Sequence, residues 1–119
     1  MHSAILNVTF DCREPRAVAA FWSAVTGYPL EEVASPGNHY WVASPPDKSW
    51  PRLVFVSVPE PKVVKNRVHL DVLPVAHDQN REVKRLLALG ASLVDDRRDL
   101  SPGGWVVLAD PEGNEFCVE

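Results

Sequence analysis

Apolar and polar residues alternate from 4 to 10, with Leu6, Val8 and Phe10 on one side and Asn7, Thr9 and Asp11 on the other. That is the period of a half-buried strand. The spacing then becomes helical: Val18, Phe21, Trp22 and Val25 fall at i, i+3, i+4 and i+7, a single apolar stripe. Pro15 suits a first helical turn with Asp11 or Cys12 as the nearby cap, and Gly27 followed by Pro29 stops the helix. Short β-rich runs follow at about 29–34, 39–43 and 52–58, separated by Ser35-Pro-Gly-Asn38 and by Pro45-Pro-Asp-Lys-Ser-Trp-Pro51. Both separators have turn or loop composition.

After the stiff join Pro59-Glu-Pro-Lys62 the same order returns. A strand is expected at 66–73 and a helix at about 78–89, with Val83, Leu86 and Leu87 inward and Gly90 at its end. Strands at about 92–97, 104–109 and 114–118 complete the copy, with Ser101-Pro-Gly-Gly104 and Asp110-Pro-Glu-Gly113 as turns. Gly27 recurs 63 residues later as Gly90, Asn7 recurs as His69 at 62, and Phe55 recurs as Cys117, also at 62. A constant period marks each copy as one supersecondary unit. The expectation is an α+β fold of two tandem βαβββ modules, module one about 1–60 and module two about 62–119, within one domain spanning 1–119. Short connections predict antiparallel pairing, hence a cupped, mainly antiparallel sheet with a helix covering each half.

In each copy one strand face is fully apolar and the other mixed. Val68, Leu70 and Val72 oppose His69, Asp71 and Leu73, and Phe116 and Val118 oppose Glu115, Cys117 and Glu119. An apolar face fits a covering helix, and the mixed face predicts a solvated hollow. A net charge of −4 without a basic stripe argues against nucleic acid. No run approaches the roughly 18 apolar residues of a membrane span. Cys12 and Cys117 form no paired framework and no signal peptide is evident, which points to a reduced, cytoplasmic setting.

Ala20-Phe-Trp22 with Gly27-Tyr-Pro-Leu30, Val68-His-Leu-Asp-Val72, Leu89-Gly-Ala-Ser-Leu93 and Leu108-Ala-Asp-Pro-Glu-Gly-Asn-Glu-Phe-Cys117 together resemble the vicinal-oxygen-chelate superfamily, the glyoxalase, dioxygenase and bleomycin-resistance type. The resemblance runs from the first strand to the C-terminus and implies a homodimer, with modules pairing within or across chains. In metal-using members each copy supplies one ligand from its first strand and one from its last. Those positions fall here on Asn7, Phe55, His69 and Cys117. Phe cannot ligate and Asn offers only a neutral oxygen, whereas a catalytic ion usually takes three protein ligands. Glu115 and Glu119 share the Cys117 face, each roughly 7 Å along the strand from it. The expectation is therefore no cofactor, with a divalent metal as the alternative.

His69 reads either as a polar or proton-transferring group at the floor of the hollow or as a cross-strand partner of Asn7. Asp71 faces the same way and would orient it only through a bend or a water. Cys117 beside two glutamates reads as small filler rather than nucleophile, Cys12 as structural and Trp22 as core. Trp41 and Trp105, on short strands beside turns, offer either packing or a stacking platform, and Trp50 a lid or a subunit contact. Two functions compete. One is a metal-free module enclosing a small organic ligand, its charge suiting a cationic guest, lined by Asn7, Phe55, His69, Trp41, Trp105 and Cys117. The other is a lyase, isomerase or dioxygenase using a metal or His69 as general base.

Overall fold

Helix α1 (Pro15–Thr26) begins on Pro15, whose missing N–H costs nothing in a first turn. Glu14 stands at its cap with no capping bond from its side chain, in place of the expected Asp11 or Cys12. Gly27, at φ 73°, ends it with its N–H on the Ser23 carbonyl at 2.8 Å. In this computed structural model residues 1–100 and 103–119 are described, so Ser101 and Pro102 of the expected second-copy turn lie outside the described residues. The chain divides into two compact units, Met1–Pro61 and Lys62–Glu119, parting within the proline-containing join.

In the first unit β1 (Asn7–Cys12), β2 (Leu30–Ser35), β3 (Asn38–Ala43) and β4 (Arg52–Ser57) form a sheet in the order β1-β4-β3-β2. The β2–β3 hairpin turns on Pro36 and Gly37, and Gly37 takes the φ of 73° that a type II turn requires of its third residue. The antiparallel pairing that short connections predict holds for β2–β3 and β3–β4, while β1–β4 is parallel. β1 and β4 are not consecutive: α1 and the hairpin lie between them, long enough for a crossover.

Register decides what this sheet buries. Phe10 pairs with Phe55, so both rings leave the same face. They stack at 5.1 Å, and Phe10 packs on Trp22 of α1 at 5.4 Å. Phe55 is fully buried there.

The second unit repeats the plan with β5 (Asp71–Val72), α2 (Gln79–Ala88), β6 (Ser92–Asp96), β7 (Val106–Ala109) and β8 (Glu115–Val118), ordered β5-β8-β7-β6 with β5–β8 parallel. Its core is Val106, Leu108, Phe116 and Val118 with Leu86 and Val83 of α2. The expected strand at 66–73 is reduced to two residues. Upstream, the Asn66 side chain replaces the ladder: its Oδ1 accepts from the Glu115 N–H at 2.8 Å and its Nδ2 donates to the Glu115 carbonyl at 3.0 Å. Backbone bonding resumes with Cys117 N–H on the Leu70 carbonyl, and Val68, expected to be inward, is exposed. Asp110 closes the turn before β8, its carboxylate accepting from the N–H groups of Glu112 and Asn114 and from the Asn114 side chain.

Helix α2 is capped by Asp78, which accepts from the Arg81 N–H. Leu87, expected on the inner face, is exposed, and Glu82 is buried instead. Glu82 is tolerable there because Arg85 binds both its oxygens at 2.7 and 3.0 Å and His77 Nε2 lies 2.7 Å from Oε1. The hydrogen bonds from Arg85, and the weaker contribution of His77, outweigh burial and hold the Glu82 carboxyl below its ordinary value of 4.5.

Two outcomes follow for stability. Phe55→Ala should cost about 3–5 kcal/mol in urea unfolding, as for a buried ring, against a small change for a residue at a solvated surface. Glu82 binds its proton more weakly in the folded chain, so its contribution is present above the ordinary carboxyl range and fades as pH falls through the folded value. Glu82→Gln should therefore lower stability at neutral pH and flatten the decline toward about pH 3, read from unfolding midpoints across that range.

Candidate functional site

The site grows from the outward face of the second sheet. Asp71 on β5 and Val107 on β7 are both register partners of Cys117 on β8, so the three side chains form a row across the strands. Two residues from Cys117 in either direction, Glu115 on β8 and Glu119 just past its end share that face. Trp105 precedes β7, and its carbonyl accepts from the Arg97 N–H at 2.8 Å. Gln79, in the first turn of α2, donates to the carbonyls of Gly104 and Val118 and so ties the approach to Trp105 to the end of β8. Asp71, Trp105, Val107, Glu115, Cys117 and Glu119, with His69 and Lys65, surround an open hollow of about 430 Å³, within the range of small-molecule sites.

Histidine 69 lies in the irregular stretch ahead of β5, because the strand there is replaced by the Asn66 bonds. Freed from strand geometry, its Nε2 comes to 3.3 Å from Asp71 Oδ1. The contact expected only through a bend or a water is made directly, with the chain bent at Arg67 and Val68 just ahead of His69. Both are about half exposed, so the pair contributes little to stability.

The hollow is negative. Lys65 is bound to Glu115, Nζ to Oε1 at 2.6 Å, which leaves Asp71 and Glu119 without a cation among the described residues apart from His69 when it is protonated. Burial, then the charges of Asp71 and Glu119, push the Cys117 thiol up from its ordinary value of 9.0, with Lys65 opposing. A thiol held protonated is a poor nucleophile, which agrees with its reading as filler.

His69, Asp71 and Cys117 also present one ligand atom each, all within 4.8 Å of one another. Imidazole, carboxylate and thiolate are zinc-type donors, and three of them leave a coordination position open. Around a tetrahedral zinc such donors lie about 3.3–3.8 Å apart, so the histidine–aspartate spacing already fits and the sulfur would have to approach and lose its proton. The donor chemistry therefore fits a borderline-soft divalent ion.

Of the six residues expected to line one hollow, His69, Trp105 and Cys117 surround this one. Asn7, Trp41 and Phe55 belong to the first unit. There Asn7 Oδ1 accepts from Arg52 Nε at 3.0 Å, and Arg16 lies over the Trp41 ring at 5.9 Å. Phe55, stacked on Phe10 and fully buried, has no surface to offer a ligand. The reason is register. First strands correspond at 62 residues, Thr9 with Asp71, but last strands at 63, so the counterpart of Cys117 is Val54 and not Phe55. A slip of one residue turns a side chain to the opposite face. Lys65 and Asn66 carried no sequence signal: neither belongs to a periodic run, and both act through Glu115, about 50 residues away.

In a Cys12→Ser background with chelator present, alkylation of Cys117 at about pH 8 should be slower than that of a free thiol, and Asp71→Asn should speed it severalfold. Faster reaction than a free thiol would contradict the environment described.

The chain aligns with the Glyoxalase-like domain family model over residues 7–119. Among curated protein sequences none is detectably similar to it. Solved structures share its fold at low identity. A mutant of the fosfomycin resistance protein FosX from Listeria monocytogenes, complexed with Mn(II) and a dihydroxypropylphosphonic acid, superposes with TM-score 0.73 at 15% identity, covering 100% of this chain and 90% of that one. An antibiotic binding protein from a Streptomyces species gives 0.70 at 17%, covering 99% and 95%. A possible glyoxalase from Bacillus cereus gives 0.67 at 17%, covering 98% of each. With a family match over nearly the whole length and two βαβββ units in its fold, the chain belongs to the glyoxalase-like domain family of the vicinal-oxygen-chelate superfamily.

Proposed function

We propose that this chain is a small-molecule-binding protein whose guest, a flat organic cation, sits in the hollow of the second unit. The observation that carries this is a mainly apolar hollow, walled by Trp105 and Val107, that holds Asp71 and Glu119 without a lysine or arginine partner among the described residues. An indole face and uncompensated carboxylates both attract a cation, and the apolar wall accepts its body. His69, oriented by Asp71, donates or accepts one hydrogen bond to a polar group of the guest. The antibiotic binding protein from Streptomyces shows that this fold can serve binding. The protein works as a cytoplasmic homodimer, as the family resemblance implies, without nucleic acid or membrane. Among the described residues no helix is long and apolar enough to cross a bilayer.

The meeting of His69, Asp71 and Cys117 supports a second reading, a lyase, isomerase or dioxygenase. A divalent ion held by these three would polarise a substrate carbonyl or hydroxyl. His69, paired with Asp71, would serve as general base on an acidic C–H when no ion occupies it.

Chelator-treated protein should be stabilised by planar aromatic cations and not by their neutral or anionic isosteres, by about 2.7 kcal/mol at a hundredfold excess over Kd. Trp105→Ala and Asp71→Asn should each weaken that guest roughly tenfold. Stoichiometric, submicromolar zinc uptake that is lost in Cys117→Ser, with no metal-free ligand response, would replace this reading with the second.

A further inference from the structure

The first unit carries a hollow of its own, about 330 Å³, lined by Leu6, Glu31, Ser44, Lys48, Trp50 and Arg52. Its charges are the reverse of those in the second unit: one guanidinium and one ammonium face one carboxylate. Arg52 opens β4 and is half-buried, with its Nε fixed on Asn7 Oδ1 at 3.0 Å and its backbone N–H on the Leu6 carbonyl at 3.0 Å. Among the described residues its two terminal nitrogens, the Lys48 ammonium and the Glu31 carboxylate have no side-chain partner. Lys48 is the only non-glycine described residue with positive φ, at 64°, and its N–H closes a turn onto the Pro45 carbonyl. Trp50, two residues on, leaves its large ring mostly exposed at the rim.

We propose that this hollow is a binding site for a small aromatic carboxylate, independent of the cation site proposed for the second unit. A guanidinium pinned at Nε presents its two terminal N–H groups as a planar fork, the geometry that a carboxylate meets with two parallel hydrogen bonds. Lys48 adds a second, non-directional charge and Ser44 a hydroxyl. Leu6 and the Trp50 ring take the flat apolar body. Glu31 leaves a net charge of only +1 among the lining residues, which favours a monoanion over a dianion such as phosphate.

Phenylacetate titrated into the full chain, followed by the indole N–H resonance of Trp50 (assigned through Trp50→Phe), tests this. Saturable shifts at Trp50 and at the amides of Ser44 and Arg52 are expected. The neutral isostere phenylacetamide should give none, and inorganic phosphate at matched ionic strength should not compete. Arg52→Gln should weaken binding about ten- to a hundredfold, the worth of one charge-assisted contact. Lys48→Gln, in an exposed turn where the fold does not depend on it, should weaken binding severalfold. Equal binding of phenylacetamide, unchanged affinity in Lys48→Gln, or shifts centred on Trp105 would each overturn the assignment.

Discussion

The parallel pairing of each unit's first strand with its last is the constraint on which everything else depends. It places Phe10 beside Phe55 in one unit and Asp71 beside Cys117 in the other. Because side chains alternate with a period of two, fixing that register fixes which residues meet the helix and which meet solvent. The aromatic stack of Phe10, Phe55 and Trp22 is the inward consequence, and the row of Asp71, Cys117 and Val107 is the outward one. A site of this kind is not added to the fold. It is the face left over once the helix has taken the other.

The helices, their glycine stops, the β2–β3 hairpin turn and the duplication were legible because they rest on local rules: apolar spacing, φ at glycine and proline sterics. Phe55 was misplaced for a reason equally physical. The offset between copies is 62 in the first strands and 63 in the last, and one residue of difference reverses the face. What stayed illegible was nonlocal. Asn66 standing in for a strand ladder, Glu82 buried under Arg85 and His77, and Lys65 held by Glu115 all depend on partners that no periodicity encodes. The His69–Asp71 contact was legible only as conditional on a bend, and the bend at Arg67 and Val68, ahead of a two-residue β5, carries no periodic signal.

Electrostatics separate the two units where the fold makes them alike. A net charge of −4 conceals a hollow floored by Asp71 and Glu119 in one unit and one presenting Arg52 and Lys48 in the other. The duplication supplies the same scaffold twice, but the hollows fall at different places on it: the second-unit hollow on a strand face, the first-unit one largely on residues flanking the strands. Fold and function are thus written on different faces of the same strands. Family membership, which rests on the shared face, leaves the ligand open.

Cross-strand NOE contacts of Cys117 and Phe55 in the ligand-free protein test the register most directly. The expected pattern places Cys117 side-chain protons against Asp71 and Val107, and Phe10 ring protons against both Phe55 and Trp22. Contacts from Cys117 to α2, or a Phe55 ring in contact with solvent rather than Phe10, would mean that the strands pair one residue out of step and that the outward row does not exist.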